Sequence, residues 1–203
     1  AAYHAGLPRE RRAEVLGRFL AEELDVVVAT SAFGMGIDAP RVRLVVHWGM
    51  PPTPEAYYQE AGRAGRDGQP ARCVLLHHPA DAEIHRRQLE VTFPPRRLVE
   101  QLWVEPALRR RQPDGVVASA DRLRAELGPE PGRAEWGRVV KRRGAALERI
   151  RVMERYASLP RCGRRALLGY FGEDGAECSG CDVCLSKGPL LRRMRKALRR
   201  SGA

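Results

Sequence analysis

Apolar residues at Val15, Leu16, Phe19 and Leu20 in "RRAEVLGRFLAEE" fall at the i, i+3, i+4 spacing of a helix that packs one face on a neighbour. The pattern then changes period. "DVVVAT" is a short, continuous, β-branched run of the kind found in strands buried on both faces of a parallel sheet. "VRLVVHWG" and "ARCVLLHH" repeat that character. Between them lies the helical stretch "TPEAYYQEAGRA", with Thr53 and Pro54 as N-cap and first helical position. Strand, helix, strand in this order predicts an α/β layer on a parallel sheet over residues 1–90.

Beyond residue 93 the strand-like runs give way to helical patterns. "PPRRLVEQLWVE", then "SADRLRAELG" with Ser119 as N-cap and Gly128 as stop, then "AEWGRVVKRRG" predict three short helices within residues 94–145. Trp103, Leu123, Leu127, Trp136 and Val140 would form their small core. The arrangement resembles a helix-turn-helix or winged-helix unit, although no β-wing is visible. Its last helix carries Arg138, Lys141, Arg142 and Arg143, which suits a groove or a row of phosphates; a basic connector between two modules fits the same residues.

Charge supports a division of labour. The chain has 203 residues and a formal net charge of +11. Residues 1–90 hold 11 basic and 12 acidic side chains, so the 25 basic and 13 acidic residues of 91–203 carry all the excess. A polyanion is the expected partner of that second part, with a solvated arginine-rich surface as the plainer alternative. Membrane is not expected as a partner, since no apolar run approaches the roughly 20 residues of a span and no amphipathic helix with aromatic anchors accompanies the charge. The start of the sequence does not read as a signal peptide, and a cytoplasmic location is expected.

Four of the five cysteines are grouped. "CSGCDVC" sets Cys178, Cys181 and Cys184 two residues apart, and Cys162 lies one helix upstream in "CGRRALLGYFGE". Four thiolates from separated segments suit a closed tetrahedral zinc site, in which no position is left for water. An iron–sulfur cluster accepts the same ligands, and disulfides are the third reading, disfavoured in a reducing cytosol. Cys73, in "ARCVLL", is expected to be a small core residue. The five histidines show no ligand spacing, and His47 and His77, at strand ends, are expected to be structural.

Two stretches lie where an α/β sheet binds its ligands, at or near the carboxyl ends of strands. "TSAFGMGID" follows the first strand run and offers Gly34 and Gly36, whose backbone N–H groups can turn toward an anion, with Thr30 and Asp38 beside them. "YYQEAGRAGRDG" sets Arg63 and Arg66 each directly after a glycine and behind Gln59. Surface arginines in ordinary ion pairs are the plain alternative.

"VATSAFGMGID", followed by "VVHWGMPPTPEAYYQEAGRAGRDG", resembles the fifth and sixth motifs of superfamily 2 nucleic-acid motors. Its wording is similar to the RecQ family of DNA helicases, over most of residues 3–81 and including "YHAGL". The resemblance implies that residues 1–90 are part of a second RecA-like domain facing an upstream RecA-like domain that carries the P-loop and Mg²⁺ site, with ATP shared between the two. Arg66 would be the arginine finger, Arg63 its neighbour on phosphate or cleft, and Gln59 a residue orienting the nucleotide. Thr30, Gly34, Gly36 and Asp38 would form the loop between nucleotide and DNA backbone.

The same family carries a zinc domain after the motor. Residues 146–188 with Cys162, Cys178, Cys181 and Cys184 would correspond to it, and residues 189–203 to a basic tail. Residues 94–145 depart from the commonest pattern as an insert. No G-x-x-x-x-G-K-[ST] occurs in the sequence. The expectation is therefore a C-terminal piece of an ATP-dependent DNA helicase, of 3′ to 5′ polarity if the family rule holds. It would be inactive alone, working on single strands and duplex junctions at the bacterial nucleoid. A non-catalytic zinc and helix-turn-helix regulator and an RNA helicase are the alternatives.

Overall fold

The computed structural model describes residues 1–33, 39–175, 177–178 and 180–186. They divide into two compact units, one of residues 1–47 with 55–76 and one of residues 48–54 with 77 onward. Small sheets with helices come first and helices alone follow, as the sequence pattern predicts.

In the first unit, β1 (Ala2–Tyr3) pairs in parallel with β2 (Val28–Ala29), with Ala2 opposite Val28 and Tyr3 opposite Ala29. The crossover is α1 (Arg9–Leu20), which buries Val15. Phe33 meets Tyr3 and Phe19 edge-on, at ring separations of 4.9 and 5.5 Å. β3 (Leu44–Trp48) and β4 (Arg72–Leu76) form a second two-stranded sheet, joined through α2 (Pro54–Ala61). α2 opens at Pro54, where a ring that fixes φ and lacks an N–H is tolerated.

The strands are shorter and more open than the apolar runs imply. Val26, Val28, Leu44, Val46 and Leu76 are all exposed, Val28 at 72%. A continuous apolar run reports the surroundings a strand is made for. Among the described residues no second layer covers these faces.

The second unit is helical. It comprises α3 (Asp81–Thr92), α4 (Arg96–Val104), α5 (Pro106–Arg109), α6 (Asp114–Leu127), α7 (Arg133–Ala157), α8 (Gly163–Tyr170) and α9 (Asp182–Ser186). Val99 and Leu102 of α4, Val116, Ala120 and Leu123 of α6, and Trp136 and Val139 of α7 make one core. Trp103 stacks on Trp136 at 5.9 Å, and the guanidinium groups of Arg96 and Arg124 lie over the rings of Trp136 and Trp103 at 5.4 and 5.9 Å. Arg109 grips Asp121 through two hydrogen bonds of 2.8 and 2.6 Å, pinning α5 to α6. Arg86 of α3 reaches Glu154 of α7 at 2.6 Å.

Three details correct the sequence reading. The second helix starts at Asp114 rather than after Ser119, so Ser119 lies buried in its interior; Gly128, at φ 84°, does end it. "AEWGRVVKRRG" does not end near Gly144. It opens a 25-residue helix, because no proline falls between Pro131 and Pro160 and both Gly137 and Gly144 sit in open space, where each costs only about 1 kcal/mol. In that helix Val139, not Val140, joins the core, and the buried stripe runs Trp136, Val139, Ile150, Met153. Val140 is 69% exposed.

Leu123→Ala should therefore destabilise the helical unit by about 2–5 kcal/mol, the cost of an internal cavity. Val140→Ala should stay within about 0.5 kcal/mol. Urea unfolding followed by the fluorescence of Trp103 and Trp136 separates the two cases, and equal losses would restore Val140 to the core.

Candidate functional site

After α2 the chain makes a series of tight turns over residues 62–69, where Arg63 and Arg66 sit. Gly62 closes the helix, its N–H donating to the Tyr58 carbonyl at 2.8 Å, and a Cβ there would stand 3.0 Å from that oxygen. Gly65 has φ +67°, and a Cβ on it would stand 2.8 Å from the Gln69 carbonyl. Gly65 thus serves the turn itself, in a conformation that a side-chain-bearing residue would adopt only with strain. Gly65 N–H also donates to the Val42 carbonyl at 2.9 Å, tying the turn to the residues ahead of β3.

The turn brings two cations within electrostatic reach of each other. Arg63 is half-buried, and its pKa is lowered from the usual arginine value first by desolvation and then by the charge of Arg66, against the pull of Glu60. Arg66 is exposed, and its Nε approaches the Gly62 carbonyl at 3.4 Å. Like charges gathered on one loop form an electropositive point suited to an anion. Gln59 is exposed near the end of α2.

Glu60 meets Nε2 of buried His47 at 3.0 Å, and Tyr57 packs on that imidazole with ring centres 4.9 Å apart. β3 and α2 are thereby locked, and His47 is structural, as expected. The sequence reading missed Arg43, one residue ahead of β3, which pairs with Asp67 of the turn. Desolvation works to raise the Asp67 pKa, but the Gln69 N–H and the Arg43 guanidinium hold it below the ordinary carboxylate value.

Thr30 lies directly after β2. Its N–H donates to the Tyr3 carbonyl at 3.1 Å, and its hydroxyl oxygen accepts from Ala32 N–H at 3.4 Å. Gly34, Gly36 and Asp38 lie outside the described residues.

The cysteine group converges. The Sγ atoms of Cys162, Cys178, Cys181 and Cys184 all lie within 4.8 Å of one another. Cys162 caps α8, with Arg165 N–H pointing at its sulfur from 3.5 Å. The Cys178–Cys181 turn closes with Cys181 N–H on the Cys178 sulfur at 3.3 Å, and Cys184 is carried on α9.

The donor set passes a simple test. A tetrahedron of sulfurs about 2.3 Å from one zinc ion has edges of about 3.8 Å, and Cys162 and Cys181 are 3.9 Å apart. A cluster of several irons is wider than one ion and would hold its thiolates further apart. The thiols are unbridged. Hydrogen bonds from the Cys181 and Gly180 N–H groups lower the Cys178 pKa to about 6, whereas the sulfurs of Cys162 and Cys181 push Cys184 up to about 12. Cys73 stands apart at the surface of β4, its thiol donating to the Ala61 carbonyl at 3.4 Å, and is not the core residue expected.

On α7, Arg138, Lys141 and Arg142 are exposed and share one face at i, i+3, i+4. Arg143 is also exposed but points about 100° further round. Arg142 is engaged with Glu126 of α6 at 2.8 Å, and Arg138 lies 3.9 Å from Glu135. None of the described helices is long and apolar enough to cross a membrane.

Two family profiles match the chain. The helicase conserved C-terminal domain covers residues 1–68, which include the arginine turn. The RecQ zinc-binding family covers residues 134–185, which include all four grouped cysteines. The second match begins in the first turn of α7, and that helix runs unbroken past residues 145 and 146.

Among whole proteins, the chain is 36% identical to the ATP-dependent DNA helicase RecQ of Pasteurella multocida over 91% of this chain and 22% of that one. It is 54% identical to the same-named protein of Bacillus subtilis, over 43% of this chain and 15% of that one. A relative from Acanthamoeba polyphaga mimivirus, 34% identical over 90% of this chain and 25% of its own length, is named as a candidate ATP-dependent RNA helicase. The chain thus spans about a fifth of the length of the Pasteurella relative. With a helicase domain profile on the arginine turn, a RecQ zinc-binding profile on a converged four-sulfur site, and RecQ relatives over nine-tenths of its length, the chain belongs to the RecQ helicase family.

Proposed function

We propose that this chain works within an ATP-dependent DNA helicase, in which it supplies the arginines that complete the nucleotide site and a zinc-stabilised module that grips DNA. The observation that carries this reading is the pair Arg63 and Arg66, gathered on a turn whose Gly65 cannot be replaced without strain. ATP with Mg²⁺, held by the P-loop of an upstream RecA-like domain, supplies the phosphoryl group that is hydrolysed. Arg66 is exposed and directs its charge to the γ-phosphate as negative charge develops there. Arg63, half-buried beside it, contacts phosphate or the cleft wall, and Gln59 orients the nucleotide. Thr30, Gly34, Gly36 and Asp38 link that site to the DNA backbone.

Cys162, Cys178, Cys181 and Cys184 hold one structural zinc ion. All four positions are filled by sulfur, so the metal activates no water. Residues 1–90 form the motor part, 94–145 the basic helical insert, 146–188 the zinc module and 189–203 a basic tail that lies outside the described residues from 187 onward. Translocation runs 3′ to 5′ on single strands and junctions, at the bacterial nucleoid.

Arg66→Ala in the complete helicase should lower DNA-stimulated ATP turnover by about 10³-fold or more while leaving nucleotide affinity largely intact, because a finger acts on transition-state charge. Steady-state kinetics with nucleotide binding measured in parallel checks it, and near-normal turnover removes the assignment. Running the same assay with single-stranded RNA in place of DNA decides between the two nucleic acids.

Metal analysis should return about one zinc per chain. Cys178→Ser should lose zinc together with solubility, since metal binding and folding are linked in a module this small; a zinc-free protein with wild-type stability would count against the site.

For the insert, replacing Arg138, Lys141, Arg142 and Arg143 by alanine should reduce the slope of log K against log[salt] for DNA binding. The shared face of the first three sets the size of the effect, up to about 2.7 units at roughly 0.9 per phosphate contact. An unchanged slope in a salt titration without ATP hydrolysis would make the insert a spacer.

A further inference from the structure

The turn that carries Arg66 is fastened by one side chain. The Arg43 guanidinium pairs with the Asp67 carboxylate, next to Arg66, and donates to the carbonyls of Gln69 at 3.3 Å and Pro70 at 3.5 Å. It also donates to the Pro40 carbonyl at 3.3 Å. Backbone bonds bracket this fork, from Gly65 N–H to the Val42 carbonyl and from Arg72 N–H to the Arg43 carbonyl, both at 2.9 Å. Asp67 closes its own turn by accepting from Gln69 N–H at 3.1 Å. Arg66 therefore sits between two residues, Gly65 and Asp67, that are both anchored on residues 42–43.

Stability does not account for such an arrangement. The side chains of Arg43 and Asp67 are 42% and 27% exposed, and a pair that open to water contributes little to folding. A planar fork that serves one carboxylate and three carbonyls fixes geometry instead, which a flexible ammonium would not do.

We propose that Arg43 is a positioning residue that holds Arg66 in place. This rests on Arg66 acting as the arginine finger. Arg43 touches neither nucleotide nor DNA in this role.

The test uses the complete helicase with Arg43→Gln, Arg43→Lys, Asp67→Asn and the double variant Arg43→Gln/Asp67→Asn. ATP turnover is measured with and without single-stranded DNA and normalised to active sites by nucleotide titration. Arg43→Gln and Asp67→Asn should each lower DNA-stimulated kcat about ten- to a hundredfold, the cost of a misplaced catalytic group, with KM for ATP changed by less than about twofold.

The double variant should be no worse than Arg43→Gln alone, because the two side chains act as one unit. Arg43→Lys, which keeps the charge but not the fork, should recover only part of the loss. A merely structural role would lower the folded fraction and leave turnover per active site unchanged. Normal kcat in both single variants, or additive losses in the double variant, overturns the proposal. If Arg43→Gln does not fold, the kcat and KM of Asp67→Asn decide by the same criterion. Arg66→Ala separates the two levels: normal turnover there removes the finger itself, whereas a dead Arg66→Ala beside normal Arg43→Gln and Asp67→Asn removes only the positioning role.

Discussion

Two guanidinium groups on one loop repel each other, and a loop that holds them must be fastened from outside. The first unit is organised around that requirement. Desolvation and the charge of Arg66 both act against the ionised form of Arg63, with Glu60 the opposing influence. Glu60 is itself held by His47 from β3, while Gly65 and Asp67 are tied to Val42 and Arg43. β3 and α2 thus matter less as elements of a core than as the frame on which two cations are mounted. Each fastening acts on backbone or on a short side chain, the stiffest points available in a turn.

The helical unit meets a different constraint, that of converging four thiolates from separated segments. Length is the device. Because α7 continues to Ala157, its buried stripe passes from Trp136 and Val139 in the α4–α6 core to Ile150 and Met153 further along. Arg86 binds α3 to the same helix at Glu154. α8 then starts on the sulfur of Cys162, so the first thiol of the group is also a helix cap. Five residues of α9 bring Cys184 back to it.

The charged groups of α7 illustrate how burial and pairing divide a helix. One face packs, and the exposed side adjoining it carries Arg138, Lys141 and Arg142, of which Arg142 is already engaged with Glu126. Electrostatic attraction to a polyanion therefore competes with ion pairs inside the unit, and the net positive charge of the second part of the sequence overstates what a single helix face can offer.

Much of the site was legible in the sequence because its chemistry is local and uses few residue types. Two arginines behind two glycines, and three cysteines two residues apart, lie within stretches of a dozen residues or fewer, where backbone geometry alone keeps them together. The order of strand and helix was legible for the same reason, since period 2 and period 3.6 are properties of neighbouring residues. What the tertiary structure decided depends on partners far along the chain. Arg43 and Asp67 are 24 residues apart and meet only because β3 lies beside the turn. Val139 rather than Val140 is buried because the phase of α7 is set by what Trp136 stacks on, and neither valine signals this by itself. Helix ends moved likewise, with Ser119 drawn inside α6 because packing against α4 stabilises the turn ahead of it. Local spacing fixed which residues carry the chemistry; long-range packing fixed where they are held, because burial and orientation are energies of contact between segments that the linear order does not bring together.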